Sequence, residues 1–222
     1  MRVTYDQTVT TATDGAPRVR RARSPRGQGD QLRDEILAAA ERILIESNDQ
    51  DSLSIRAIAA AVGVTPPSIY LHFADRTDLV FAVCERQARH LEAAMDAAAA
   101  GIDDPWERIR RRGHAYLRWG LDNPEHYRIL MMSRPDKTPD RFVDERLADT
   151  AGLVPVAADV AEAVRREQIV AGDAVQMVEA LWMIIHGMVS LLISKPEFPF
   201  GDAEDTYERM FELVHRGLAP RP

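Results

Sequence analysis

The sequence predicts an all-α protein: an N-terminal three-helix head joined by a long helix to a larger C-terminal helical bundle. Three observations predict it. From Leu32 onward apolar residues recur every three or four positions, the period of helices with one buried face. Prolines and glycines fall at the joints between these runs, at Gly101, Pro124, Pro135, Pro139, Pro155, Gly172 and Pro196. No segment carries the strict alternation of a half-buried strand. With 222 residues, 45% of them apolar, the chain is long enough to bury a substantial core.

Residues 1–29 mix Thr, Gly, Pro and Arg without an apolar period, so they read as a disordered arm. Order is predicted to begin near Asp30, where Leu32, Ile36, Ala40, Ile43 and Leu44 set out a first helix ending near Ser47. Ile55, Ile58, Ala59 and Val62 then mark one face of a second, shorter helix beginning after Ser54. Gly63 stops it, because glycine takes positive φ at little cost, and Val64 packs beneath the turn. Thr65 is placed to cap a third helix of about two turns whose first residue is Pro66, where a missing N–H is harmless. Ile69 and Phe73 point to the core, which leaves Thr65, Ser68, Tyr70, Leu71 and His72 available outside. Asp75 and Asp78 form an acidic variant of the capping box for a long fourth helix reaching Ala100. Further helices are expected at about 105–121, 124–132, 140–150, 155–170, 173–195 and 203–218. The chain thus divides into an arm, 1–29, a head, 30–76, and a helical body, 77–222.

The net charge of −7 is unevenly spread. Residues 1–30 carry six arginines against three aspartates, with Arg18, Arg20, Arg21, Arg23 and Arg26 clustered, whereas residues 31–80 carry four arginines against eight acids. The tail is basic and the head acidic. No window approaches 18 uninterrupted apolar residues, and the N-terminus has polar residues where a signal peptide would be apolar, so a cytoplasmic location is expected. The lone Cys84 reads as a small core residue. The six histidines show no metal-binding spacing, and phosphate loops, nucleophile elbows and cysteine clusters are absent, which argues against an enzyme and implies no cofactor or metal. Asp122, Glu125 and His126 come nearest to a metal cluster, but beside Pro124 they read as a helix start.

Residues 32–100 resemble the tetracycline-repressor (TetR) family of transcription regulators. The resemblance rests on an ordered string: LRDEILAAAERIL, SIRAIAAAVGV, TPPSIYLHF and ADRTDLVFAV. The segment ALWMIIHGMVSLL is similar to the end of one subgroup, marked by Trp182, His186 and Gly187. The resemblance implies a ligand-responsive regulator: a homodimer whose two heads enter successive major grooves of a palindromic operator, with a small-molecule effector in the body moving the heads. Repression is the family's default. The alternative is a helical ligand sensor or adaptor that no longer binds specific DNA.

The resemblance gives Tyr70 and His72 contacts to phosphates or groove edges and Arg76 a phosphate at the start of the fourth helix. Thr65, with Ser54 and Arg56 from the preceding helix, suits the backbone. No Arg, Lys, Asn or Gln lies between Thr65 and Phe73, so direct base readout is thin and falls to Ser68, Tyr70 and an apolar touch of Leu71 on a thymine methyl. The arm arginines are expected to enter a minor groove. In the body Trp106, Tyr116, Trp119, Tyr127, Met131, Phe142, Trp182 and His186 fall in the family's ligand-binding region and suit a largely apolar effector. Met177, Leu181, Ile184, Met188, Leu191 and Leu192, with Tyr207, Met210, Phe211 and Val214, supply more apolar surface than one core needs, and two copies would close a four-helix dimer interface.

Overall fold

The structure, a computed structural model, describes residues 29–47, 53–132 and 152–220. Residues 1–28 of the arm, the 140–150 helix and Phe142 lie outside the described residues, while Gly29, read as the end of the arm, already opens α1. Every regular element described is helical. In chain order they are α1 (Gly29–Ser47), α2 (Ile55–Val62), α3 (Pro66–Tyr70), α4 (Arg76–Ala99), α5 (Pro105–Asp122) and α6 (Pro124–Tyr127), which runs on as a π-helical turn (Arg128–Met132). After them come α7 (Val154–Arg165), α8 (Ala174–Ser194) and α9 (Ala203–Leu218).

Two cores share one helix. In the head, Ile36, Leu37 and Leu44 of α1 close on Ile58 of α2, Ile69 of α3, Phe73, and Leu79 and Val83 of α4. In the body, Leu91 and Met95 of the same α4 pack with Ile109, Tyr116 and Leu117 of α5, Val160 of α7, Val189 of α8 and Phe211 of α9. Thus α4 changes allegiance between Val83 and Leu91 and ties the two cores together. At the changeover sits buried Gln87, whose amide donates to Glu41 of α1 at 2.9 Å.

Local chemistry explains most boundaries. α2 ends as the glycine predicts: Gly63 takes φ 76°, its N–H meets the Ala60 carbonyl, and the Val64 N–H reaches back to Ala59. Side-chain carboxylates cap α5 (Asp104 to the Glu107 N–H), α8 (Asp173 to the Val175 and Gln176 N–H groups) and α9 (Asp202 to the Asp205 N–H). Asp75 accepts from the Asp78 N–H as expected, but the Asp78 carboxylate reaches one residue further back, to the Ala74 N–H. Thr65 has the extended backbone of a cap, yet its hydroxyl pairs with Ser68 Oγ at 3.1 Å instead of capping α3. With prolines at 66 and 67 two of the first N–H groups are missing, and the next, from Ser68, already meets the Thr65 carbonyl.

α7 stops at Arg165 rather than near 170. There Glu167 takes φ 57°, the Gln168 N–H returns to the Ala163 carbonyl and the Glu167 N–H to Val164, the same closure that Gly63 makes. A non-glycine in that conformation costs about 1 kcal/mol and gives no sequence signal.

Candidate DNA-binding and effector sites

α3 is split between inside and outside. Ile69 is fully buried and Phe73 nearly so, with the Arg33 guanidinium over the Phe73 ring, while Tyr70 is 54% and Leu71 83% exposed. Ser54, Arg56 and Thr65 are also exposed or nearly so, and Ser68, His72 and Arg76 half-buried. These residues lie along α3 and at the starts of α2 and α4. Leu71 is the most exposed large apolar side chain described, and no described residue of the head covers it.

The acidity of the head is partly consumed internally. Glu41 accepts from Gln87, from Arg86 and from His126 Nε2 at 2.7 Å, which joins α1, α4 and α6 in one cluster. Asp75 and Asp78 are turned onto N–H groups at the start of α4. Of the three groups read as a helix start, Asp122 pairs with Arg118, Glu125 with Arg128 and His126 with Glu41, so they point to separate partners. Cys84 lies against the head core with its thiol near the Ile129 carbonyl. Burial, with Glu85 beside it, pushes the thiol up to about 11, which leaves little thiolate at neutral pH.

A half-open apolar cavity of about 60 Å³ lies in the body between α4, α5, α7, α8 and α9. Tyr116 and Trp182, read from the sequence as ligand-binding, line it together with Ile184, Met210, Phe211 and Val214, which the sequence assigns to the dimer seam. Sequence reasoning missed Met95, Leu153, Val156 and Arg112, which come from segments carrying no local mark of a site. A cavity that holds benzene measures about 150 Å³. A benzene-sized occupant exceeds this space, and Met95 and Met210 are the adaptable walls.

The other predicted ligand residues lie elsewhere. Trp106 is buried at the far end of α5, stacked on His215 with ring centres 4.6 Å apart and against Phe211 at 4.8 Å. Trp119 and Met131 pack partly buried against the body core. Tyr127 is fully buried and gives the cavity wall a polar backing: its hydroxyl lies 2.7 Å from His186 Nδ1 and 3.1 Å from the Tyr116 hydroxyl. Burial raises both tyrosines above the usual phenol range and keeps His186 below the ordinary imidazole value, hence neutral at pH 7. The Trp182 and His186 rings sit 5.6 Å apart, one turn from each other on α8.

α6 links this network to the head. Tyr127 belongs to the body core, His126 beside it bonds Glu41 of α1, and Ile129, in the π-helical turn, is buried in the head core. A separate network fixes α5 against α7 and α4. Arg108 and Arg112 take the two oxygens of buried Asp159 at 2.6 and 3.0 Å, Arg112 also pairs with Asp96, and Arg108 with Glu162.

α8 is long and apolar enough by composition to cross a bilayer, yet it is amphipathic in its packing. Val178, Ile185, Val189 and Ile193 enter the body core, while Met183, Ile184 and Leu191 stand 63, 39 and 48% exposed on the opposite face. Met188 and Val214 are partly buried, and Tyr207 and Phe211 of α9 are core residues of the single chain rather than part of an open face. Nothing lies within 4 Å of the place a Cβ would take at Gly187.

Two family models match the chain. One, described as bacterial regulatory proteins of the tetR family, matches residues 36–83, and the other, a tetracyclin repressor-like C-terminal domain, matches 109–214. Among solved structures the chain is similar to a protein of unknown function from Rhodococcus sp. RHA1, at 26% identity and a TM-score of 0.71, over 85% of this chain and 96% of that one. It is similar to a TetR family transcription regulator from Marinobacter aquaeolei VT8 at 20% identity and a TM-score of 0.66, over 89% of this chain and 100% of the other. A TetR family transcriptional regulator from Thermus thermophilus matches at 20% identity and a TM-score of 0.62, over 83% of this chain and 99% of that one.

Proposed function

Because the chain belongs to the tetR family of bacterial regulatory proteins, with a DNA-binding and a ligand-binding domain, we propose that it is a homodimeric repressor of a palindromic operator, released by a small, largely apolar effector. The observation that carries this reading is the division of α3. Two side chains anchor it, and a row including Tyr70 and Leu71 is left facing outward. In this reading Ser54, Arg56, Thr65, Tyr70, His72 and Arg76 hold the DNA backbone, and Ser68, Tyr70 and Leu71 touch base edges. With no fork-shaped donor on α3, specificity leans on DNA shape. The arginines at 18, 20, 21, 23 and 26 add affinity from a minor groove. Dimerisation through α8 and α9 would cover Ile184 and Leu191, with Met188, Met210 and Val214 at the edge of the seam. The Trp182, His186 and Gly187 pattern supports placement in the subgroup that carries it.

The effector acts by size in this account. Enlarging the cavity moves Tyr116 and α8, their hydroxyl and imidazole partners draw on Tyr127, and α6 shifts His126 and Ile129 against the head. A gel shift on the DNA upstream of the protein's own gene tests the reading. The native chain is expected to bind at nanomolar concentration, and Tyr70→Phe with His72→Ala to weaken binding about tenfold or more, at about 1 kcal/mol for each hydrogen bond removed. Removal of residues 1–29 should flatten the salt dependence by about 0.9 in log–log slope for each phosphate that the arm neutralises. Binding no tighter than to unrelated DNA would favour the sensor or adaptor alternative.

A further inference from the structure

The cavity has a polar feature that its apolar lining does not explain. Trp182 lines it, and the indole Nε1 is sealed from solvent with no hydrogen-bond partner among the described residues. It is close enough to the Tyr116 hydroxyl to ease that group's ionisation, but makes no hydrogen bond of normal geometry. The Tyr116 hydroxyl is instead engaged with Tyr127 at 3.1 Å and His186 at 3.4 Å. A buried donor left unpaired is a standing cost, which a ligand acceptor would relieve once the wall yields enough to uncover it.

The charges around the cavity define the rest of the ligand. Arg112 is the one guanidinium among the described lining residues, and it is already committed to Asp159 and Asp96. No carboxylate is found among the described lining residues, so a cation meets no counter-charge there. An ion entering would lose its hydration and find no counter-charge that is not already paired.

Resting on the effector reading above, we infer that this cavity takes a compact, uncharged, mainly apolar compound carrying one hydrogen-bond acceptor, a carbonyl or ether oxygen, which receives the Trp182 indole N–H.

Three probes of nearly one shape test this by calorimetry on the full-length protein: isopropylbenzene, acetophenone and benzoate. Transfer from water alone favours the hydrocarbon, because desolvating a carbonyl is costly. Acetophenone is expected to bind at least as tightly as isopropylbenzene, and benzoate weakest. In Trp182→Phe acetophenone should weaken by about tenfold, the size of one net hydrogen bond, while isopropylbenzene stays within about twofold. The wild-type ranking stands as evidence even if the variant misfolds. Benzoate binding tightest, acetophenone clearly weaker than isopropylbenzene in the wild type, an unchanged preference in Trp182→Phe, or no binding by any probe would each overturn the inference. The expected ranking without any release of DNA would support the ligand class and refute the effector reading.

Discussion

Leu191→Lys is expected to turn the protein into a monomer and to abolish tight operator binding together with it. Leu191 lies on α8, 48% exposed, beside Ile184 and away from the face formed by Val189 and Ile193. A lysine there reaches solvent in the single chain, and near the C-terminal end of a helix a cation is favoured by the helix dipole. The monomer fold should therefore keep its melting behaviour. In the proposed dimer through α8 and α9 the same residue would face its symmetry mate, so each interface would bury two ammonium groups without partners. A penalty of about 3 kcal/mol or more, which is conservative for an unpaired charge, weakens dimerisation by at least about a hundredfold. Sedimentation of wild type and variant measures this. A variant that stays dimeric would remove α8 from the interface.

Gly120→Ala should destabilise the body even though helix propensity argues the other way. An alanine within a helix is favoured over glycine by about 1 kcal/mol. At Gly120, however, an added Cβ would lie 2.5 Å from Val189 Cγ1 and 3.0 Å from the Tyr127 ring, and all three residues are buried. The neighbours are branched or fully enclosed, so the clash is not relieved by a flexible tip. Overpacking costs about 1–3 kcal/mol, and a contact this short falls in the upper part of that range, so a net loss of about 1–2 kcal/mol remains after the propensity gain and predicts a fall of roughly 2–8 °C in melting temperature. Gly217→Ala is the contrast: nothing lies within 4 Å of that Cβ, so only the propensity gain remains. Equal behaviour of the two variants would contradict the close approach of α5 to α8. Since the displaced ring is that of Tyr127, Gly120→Ala should also weaken the response of DNA binding to effector.

These packing effects mark where reading the sequence succeeds and where it stops. The head was legible because local signals agree there: the spacing of Ile58, Ile69 and Phe73, a glycine at the one turn needing positive φ, and prolines where N–H groups are dispensable. The carboxylate caps at Asp104, Asp173 and Asp202 are equally local. The end of α7 was hidden because Glu167 adopts a conformation its residue type disfavours. In the body, periodicity said which side chains are apolar but not which neighbours they meet. Trp106 and Phe211 found each other, the cavity was completed from α4 and α7, and Tyr127 and Ile129, two residues apart, entered different cores. Such choices are set by tertiary packing and leave no mark in a window of ten residues.

The same distinction governs the charge of the head, which on a residue count opposes DNA. Glu41 is held in an internal cluster with Arg86, Gln87 and His126, so its charge stabilises the join of head to body instead of facing the solvent.

The central claim is that two heads of this protein read one DNA site with twofold symmetry. Hydroxyl-radical footprinting of the wild-type protein on the DNA upstream of its gene tests it most directly. The account predicts protected patches related by a dyad on one face of the duplex, about one helical turn (10–10.5 base pairs) apart per pair of heads, since each α3 enters its own major groove. A single asymmetric patch, or no protection above that on unrelated DNA, would contradict it.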